Sequence, residues 1–118
     1  FGGVLHRHPD IDICLSHAGG TMTSLIGRFN RACTKRPWVP EHLQYEGAFE
    51  ESLQKLWFDT HVHDPRVLNW VIDIMGTNKL LLGTNFAGWD QHAMTQDIPA
   101  DLAVTMADNA KRLLRVDP

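Results

Sequence analysis

Three short apolar runs divide the chain, and each is followed by polar residues and then by a helical pattern. The runs lie at about residues 11–17, 56–60 and 79–85. In the first run, Ile11, Ile13 and Leu15 alternate with smaller or more polar residues, which predicts a β-strand. The third run is continuously apolar at its centre, a pattern typical of strands buried on both faces of a parallel sheet.

Between these runs, apolar positions recur at helical spacing. Helices are predicted at about residues 4–8, 21–36, 49–55, 65–75, 99–106 and 109–118. Thr21 or Thr23 is expected to cap the second helix. Asp64-Pro65 favours the start of the fourth, since proline suits the first helical position, and Gly76 marks its end. Loops are predicted at residues 38–47 and 86–98.

This order of elements predicts an α/β fold of three consecutive βα units. The carboxyl ends of parallel strands share one edge of a sheet, where ligands bind. His17 follows the first strand at that edge, and the alternative is a structural histidine that bonds locally. Three parallel strands leave unpaired edges, so the pattern favours part of a (β/α)₈ barrel over a small open sheet.

Composition narrows the function classes. The chain has 118 residues, is 43% hydrophobic and carries a net charge of −3, so it lacks the strongly basic character of nucleic-acid-binding proteins. No apolar run reaches membrane-spanning length, and neither a membrane nor a nucleic-acid partner is expected. Cys14 and Cys33 lack metal-ligand spacing, which predicts free thiols and a reducing, cytoplasmic location.

The two ends of the chain differ in how closely their patterns resemble a natural terminus. The first residue is Phe1, and residues 1–9 have the pattern of the last turns of a helix, without a signal peptide's charged and apolar regions. Residues 109–118 have the pattern of a closing amphipathic helix. We therefore expect residues 1–118 to be a single partial domain, the C-terminal portion of a longer barrel.

A set of short motifs covers nearly the whole chain. They are Leu15-Ser-His-Ala-Gly-Gly20, Gly27-Arg28, Phe58-Asp-Thr60, Val62-His-Asp-Pro65, Leu81-Leu-Gly-Thr-Asn85 and Asn109-Ala-Lys-Arg-Leu113. In order and spacing this set resembles the C-terminal part of the amidohydrolase-related (amidohydrolase 2) family, in its branch similar to aminocarboxymuconate-semialdehyde decarboxylase. The resemblance implies a distorted TIM barrel in which the three runs are strands six to eight.

The resemblance also implies roles for two residues. His17 matches a catalytic histidine near the metal, which activates metal-bound water or protonates the substrate. Arg28 resembles an arginine that reaches a neighbouring subunit's site and pairs with a substrate carboxylate, which implies a homodimer. A guanidinium fork suits a carboxylate geometrically.

One position departs from the family pattern. The family's last strand normally ends Gly-Thr-Asp, and that aspartate is a metal ligand, but position 85 here is Asn. Asn85 is the candidate metal ligand and a candidate substrate-binding residue, although its amide oxygen brings no charge. The other family ligands would lie before Phe1. A divalent metal, expected to be zinc, is implied for the intact protein.

Further candidates lie near the same strand ends. Asp90, in the predicted loop, is an alternative source of the missing carboxylate. His61 and His63 could form a metal-binding pair, because alternate residues of a strand share a face. The strand is predicted to end at Thr60, however, and His63 lies in the Val-His-Asp-Pro segment that is expected to cap and orient the next helix. Trp89 is the tryptophan predicted to touch a ligand.

Three functional hypotheses follow. The first is a metal-dependent decarboxylase (a carbon–carbon lyase) or hydrolase that acts on a small carboxylated aromatic or ring-cleaved substrate. The second is a non-catalytic, metal-free relative that binds a small acid or a partner, which the Asn85 departure favours. The third is a fragment without activity by itself.

Overall fold

A three-stranded parallel sheet organises the computed structural model, which describes residues 2–91 and 98–116. The strands are β1 (Cys14–Leu15), β2 (Trp57–Asp59) and β3 (Leu80–Leu81), in the order β1-β2-β3. Leu15 pairs with Phe58, and Asp59 pairs with Leu81. The prediction of three consecutive parallel βα units is confirmed, but the strands are shorter than predicted. The backbone leaves the extended region by His17 and by Asn85, whose φ angles are 53° and 48°.

Helices surround this sheet. They are α1 (Val4–Arg7), α2 (Ile26–Lys35), α3 (Ala48–Leu53), α4 (Pro65–Met75) and α5 (Ala100–Leu114), with short 3₁₀ turns at His17–Gly19 and Glu41–Leu43. The predicted cap of α2 is wrong: α2 begins at Ile26, and neither Thr21 nor Thr23 caps it. Thr23 is buried instead. Parts of two predicted elements, residues 92–97 and 117–118, lie outside the described residues.

The start and end of α4 agree with the prediction. The Asp64 carboxylate accepts a hydrogen bond from the backbone N–H of Arg66 at 2.9 Å, and Pro65 is the first helical residue. The guanidinium of Arg66, 2.6 Å from Asp64, is the main reason that the pKa of Asp64 falls to about 2. Gly76 ends the helix at a φ of 71°, a conformation that glycine adopts without strain.

The last helix is continuous, and the predicted break near residues 107–108 is wrong. No glycine or proline interrupts the sequence from Ala100 to Leu114. Asn109 anchors α5 to the start of β3, since its buried amide donates to the carbonyls of Thr77 at 2.7 Å and Leu80 at 2.9 Å. Its oxygen accepts a bond from Arg112 at 3.0 Å.

The core is shared between one face of the sheet and several helices. Its buried members are Cys33, Val39, Ala48, Phe49, Leu53, Phe58, Leu80 and Met106. Cys14 is exposed on β1, which pairs on one side only within the described residues, whereas Cys33 is buried. Neither Cys14 nor Cys33 is in a disulfide.

An apolar groove of about 460 Å³ runs between β3 and α5. Its lining includes Leu81, Leu82, Ile98, Met106 and Leu114. Within residues 2–91 and 98–116, no helix has the length and hydropathy needed to cross a bilayer.

Replacing Asn109 with alanine is expected to lower the free energy of unfolding by about 1–3 kcal/mol, because buried carbonyls of the β3 segment lose a donor. Asn69→Ala is the matched control, since Asn69 is exposed on α4 and gains the same helix propensity. Urea unfolding followed by circular dichroism measures both. Equal midpoints for the two variants would contradict the anchoring role.

Candidate functional site

Polar side chains from all three strand ends meet at the carboxyl edge of the sheet. His17 follows β1, His61 follows β2, and Asp90 comes from the loop after β3. One nitrogen or oxygen atom from each lies within 4.8 Å of the other two. Imidazole nitrogens and carboxylate oxygens are common ligands of zinc and of other divalent transition metals. This set, the strand-end cluster, therefore fits a metal ion.

The turn after β1 presents His17. Its backbone runs through left-handed conformations at His17, Ala18, Gly19 and Gly20, with φ angles of 53°, 51°, 79° and 59°. Gly19 packs so closely on the sheet that a Cβ there would lie 2.7 Å from the Phe58 ring. His17 is exposed, and its ring meets that of His61 edge-on, with centroids 4.9 Å apart. Left-handed non-glycine residues are costly and concentrate at functional sites.

Asp59 ties the strand ends together. Its Oδ1 accepts hydrogen bonds from the backbone N–H of Ala18 at 3.1 Å and of His61 at 3.0 Å. Gly83 lies against the same side chain, since a Cβ at Gly83 would be 2.7 Å from the Cβ of Asp59. The hydroxyl of Thr60 accepts a bond from the N–H of Gly83 at 3.1 Å. The local sequence pattern does not predict this role of Asp59, although a carboxylate at the end of the middle strand marks the position.

His61 and His63 both face Asp90. The Nε2 atoms of His61 and His63 lie 3.1 Å and 3.4 Å from Oδ2 of Asp90. An ionised carboxylate only accepts hydrogen bonds, so these nitrogens are the donors. His61 is 3% exposed, whereas His63 is half exposed. The predicted helix start at residues 62–65 does cap α4, through the side chain of Asp64, while the ring of His63 faces Asp90.

Asp90 is held on several sides. Its carboxylate is 14% exposed and also accepts a hydrogen bond from the side-chain amide of Asn85. The bond from His61, with those from Asn85 and His63, holds the pKa of Asp90 well below its usual range despite partial burial. Asp90 is therefore a carboxylate anion beside two imidazole rings at neutral pH.

Asn85 faces Asp90 as a donor. Asn85 and Ala87 have φ angles of 48° and 62°, and these left-handed residues fold the loop back towards β2. Gly88 leaves room for the Asn85 side chain, since a Cβ there would lie 2.6 Å from Cγ of Asn85. The position where the family pattern has a charged residue is thus filled by an amide directed at the carboxylate of residue 90.

The remaining predicted residues lie at the surface. Arg28 is exposed on α2, and Trp89 is 97% exposed beside Asp90. Within the described ranges, neither side chain makes a hydrogen bond to the strand-end cluster. Their predicted substrate contacts stay predictions.

The amino-acid sequence is similar to a known protein family and to several known proteins. A family model described as amidohydrolase matches residues 1–116. A 2-amino-3-carboxymuconate-6-semialdehyde decarboxylase from Dictyostelium discoideum is 34% identical over 86 residues, which cover 73% of this chain and 24% of the relative. A 6-methylsalicylic acid decarboxylase from Penicillium expansum is 33% identical over 86 residues, covering 71% and 26%. The chain thus spans about a quarter of the length of these relatives.

Solved structures share the fold. A 5-carboxyvanillate decarboxylase from Sphingomonas paucimobilis superposes with a TM-score of 0.77 at 20% identity, over 98% of this chain and 37% of that one. A dihydroxybenzoic acid decarboxylase from Polaromonas, solved with manganese and 2-nitroresorcinol, gives a TM-score of 0.72 at 15% identity, over 98% and 37%. These likenesses confirm the prediction that the three βα units are part of a TIM barrel.

Replacing Asp59 with alanine is expected to lower the free energy of unfolding by about 1.5–3 kcal/mol, since two backbone N–H groups lose a charged acceptor. The free energy of unfolding of Asp59→Asn is expected to lie between those of Asp59→Ala and wild type, because an amide oxygen still accepts both bonds. Urea unfolding measures the three proteins. Asp108→Ala is the control, since Asp108 is exposed on α5; an equal effect there would count against Asp59 as the anchor.

Proposed function

The chain belongs to the amidohydrolase family, and from that premise we propose that the intact protein is a metal-dependent decarboxylase of small carboxylated aromatic or ring-cleaved acids. Residues 1–118 are, in this proposal, the C-terminal part of its (β/α)₈ barrel. The observation that carries the proposal is the strand-end cluster, in which His17, His61 and Asp90 converge at the edge where barrel enzymes bind substrate. The relatives described above are named as decarboxylases, which favours a lyase over a hydrolase.

His17 is the proposed proton donor. In decarboxylation the bond between the carboxylate carbon and the substrate carbon breaks, carbon dioxide leaves, and the electron pair left on the substrate carbon takes up a proton. His17 is exposed at the open edge of the cluster, where a substrate can reach it. His61 is buried and already bonded to Asp90, so it is less able to meet the substrate. A positioned imidazole is a common general acid near neutral pH.

A divalent metal completes the proposal. When bound, it supplies a Lewis acid that polarises a substrate oxygen. The proposed ion is zinc; manganese is present in one of the structural neighbours. In the described part of this chain, the residues beside His17 that could hold the metal are His61 and Asp90.

Substrate binding is assigned to three residues. Arg28 would pair with the substrate carboxylate at a neighbouring subunit's site, which requires a homodimer. Asn85 and Trp89 would line the same edge of the barrel, Asn85 next to Asp90 and Trp89 on the surface beside it.

The two free thiols are consistent with the proposed cytoplasmic location.

Asn85 is also the observation that favours the second hypothesis, a metal-free relative that binds small acids without turnover. Metal analysis of the purified full-length protein separates the two functions. Stoichiometric metal with decarboxylation supports the enzyme, whereas a metal-free protein that binds aromatic acids without releasing carbon dioxide would support the binding protein.

His17→Asn is expected to lower the kcat for decarboxylation of dihydroxybenzoates about 10²–10⁴-fold, because the proton donor is lost. The measurement is carbon dioxide release by the full-length protein loaded with zinc or manganese. His42→Asn is the control, since His42 is an exposed histidine stacked on His6. Turnover by His17→Asn equal to that of the control would remove His17 from the mechanism.

Arg28→Ala is expected to raise the KM for carboxylated substrates at least about tenfold, because a charge-assisted contact is lost. Arg31→Ala, on the same exposed surface of α2, serves as the matched control. Co-expression of Arg28→Ala and His17→Asn subunits tests action across the interface. Heterodimers contain a site with the wild-type KM if Arg28 serves its neighbour's site, whereas their active site keeps the raised KM of Arg28→Ala if Arg28 serves its own.

A further inference from the structure

We propose that Asp90 and His61 are the metal ligands that this part of the chain supplies, and that Asn85 positions Asp90 instead of binding the ion itself. The inference rests on the metal-dependent site of the proposed function and names the ligands of that site. It moves the metal-binding carboxylate from position 85 to position 90, and it leaves His17 available for proton transfer.

The separation of the two ligand atoms suits a single ion. Nε2 of His61 lies 3.1 Å from Oδ2 of Asp90. Two ligands bound tetrahedrally at about 2.1 Å from one metal are about 3.4 Å apart, so a small outward movement would admit an ion between them once the His61 proton shifts from Nε2 to Nδ1. His17 is the most exposed member of the cluster, whereas His61 is 3% exposed and Asp90 14% exposed.

Residues 85–91, the described part of the loop that carries Asp90, are held in shape by their own hydrogen bonds. The N–H of Gly88 donates to the carbonyl of Asn85 at 2.8 Å, and the N–H of Gln91 donates to the carbonyl of Gly88 at 3.2 Å. The side chain of Gln91 accepts a bond from the N–H of Ala87 at 2.9 Å. Together with the left-handed residues of this loop, these bonds fix the direction in which the carboxylate at position 90 points. The loop can therefore deliver a ligand accurately.

Asn85 binds one oxygen of the Asp90 carboxylate and leaves the other oxygen free to face His61. Its side-chain amide donates to Oδ1 of Asp90, and this leaves Oδ2 facing His61. A hydrogen bond of this kind orients a metal ligand without touching the metal. A neutral amide also fits beside Asp90 in a way that a second carboxylate would not, because two anions at that distance repel each other.

The test measures metal binding by the full-length protein without any substrate. Asp90→Asn is expected to weaken zinc affinity more than about 100-fold in chelator competition, whereas Asn85→Ala is expected to weaken it about 10–100-fold, as for other groups that orient ligands. Asp108→Asn, an exposed aspartate of α5, is the matched control and is expected to bind zinc as wild type does. Asp90→Glu retains a carboxylate and is expected to bind more tightly than Asp90→Asn, which guards against a folding defect in the asparagine variant.

The visible absorption of the cobalt-loaded proteins gives a second measurement. Loss of a ligand changes the absorption bands of bound cobalt, so Asp90→Asn is expected to differ from wild type, while Asn85→Ala keeps the wild-type bands. Wild-type zinc affinity or wild-type cobalt bands in Asp90→Asn would overturn the assignment of Asp90. Because no substrate is present, such a result is distinct from a failure of the proposed function, which would be a metal-loaded wild-type protein that releases no carbon dioxide.

Discussion

The Asp59 carboxylate is the interaction on which the site depends. Each strand of the sheet contributes only two or three residues, so regular strand pairing does not extend to His17, His61 or Gly83. Oδ1 of Asp59 continues the connection by accepting from the backbone of Ala18 and of His61. The distance between His17 and His61 therefore depends on one side chain that itself projects from the middle strand. Gly83 brings the third strand end against the same group.

Backbone strain marks the two loops that depend on this anchor. His17 and Ala18 after β1, and Asn85 and Ala87 after β3, have left-handed conformations that cost non-glycine residues free energy. Packing of the first turn on Phe58 and the hydrogen bonds within the second loop offset that cost. The result is a set of side chains with defined directions at the carboxyl edge of the sheet, as a preorganised site requires.

Much of the fold could be predicted from local patterns, and the errors have physical reasons. Asp64-Pro65 and Gly76 bound α4 as predicted because their effects on the backbone are local. Thr23 resembles a helix cap in sequence, but tertiary packing buries it instead. At the site, His17 could be found from its position after a strand. The pairing of His61 with Asp90 could not, because it depends on how a loop 29 residues later folds back.

A metal-binding carboxylate at position 90 depends on more neighbouring side chains than one at position 85 would. At position 85, a carboxylate would be placed by the backbone that directly follows β3. At position 90, the carboxylate depends on the Asn85 amide for one oxygen and on His61 and His63 for the other. Gly88 must also remain small, because a side chain there would displace Asn85. The loop after β3 and the histidines after β2 thus form one unit, and the consequences of a substitution at Asn85, Gly88 or Asp90 depend on the other members of that unit.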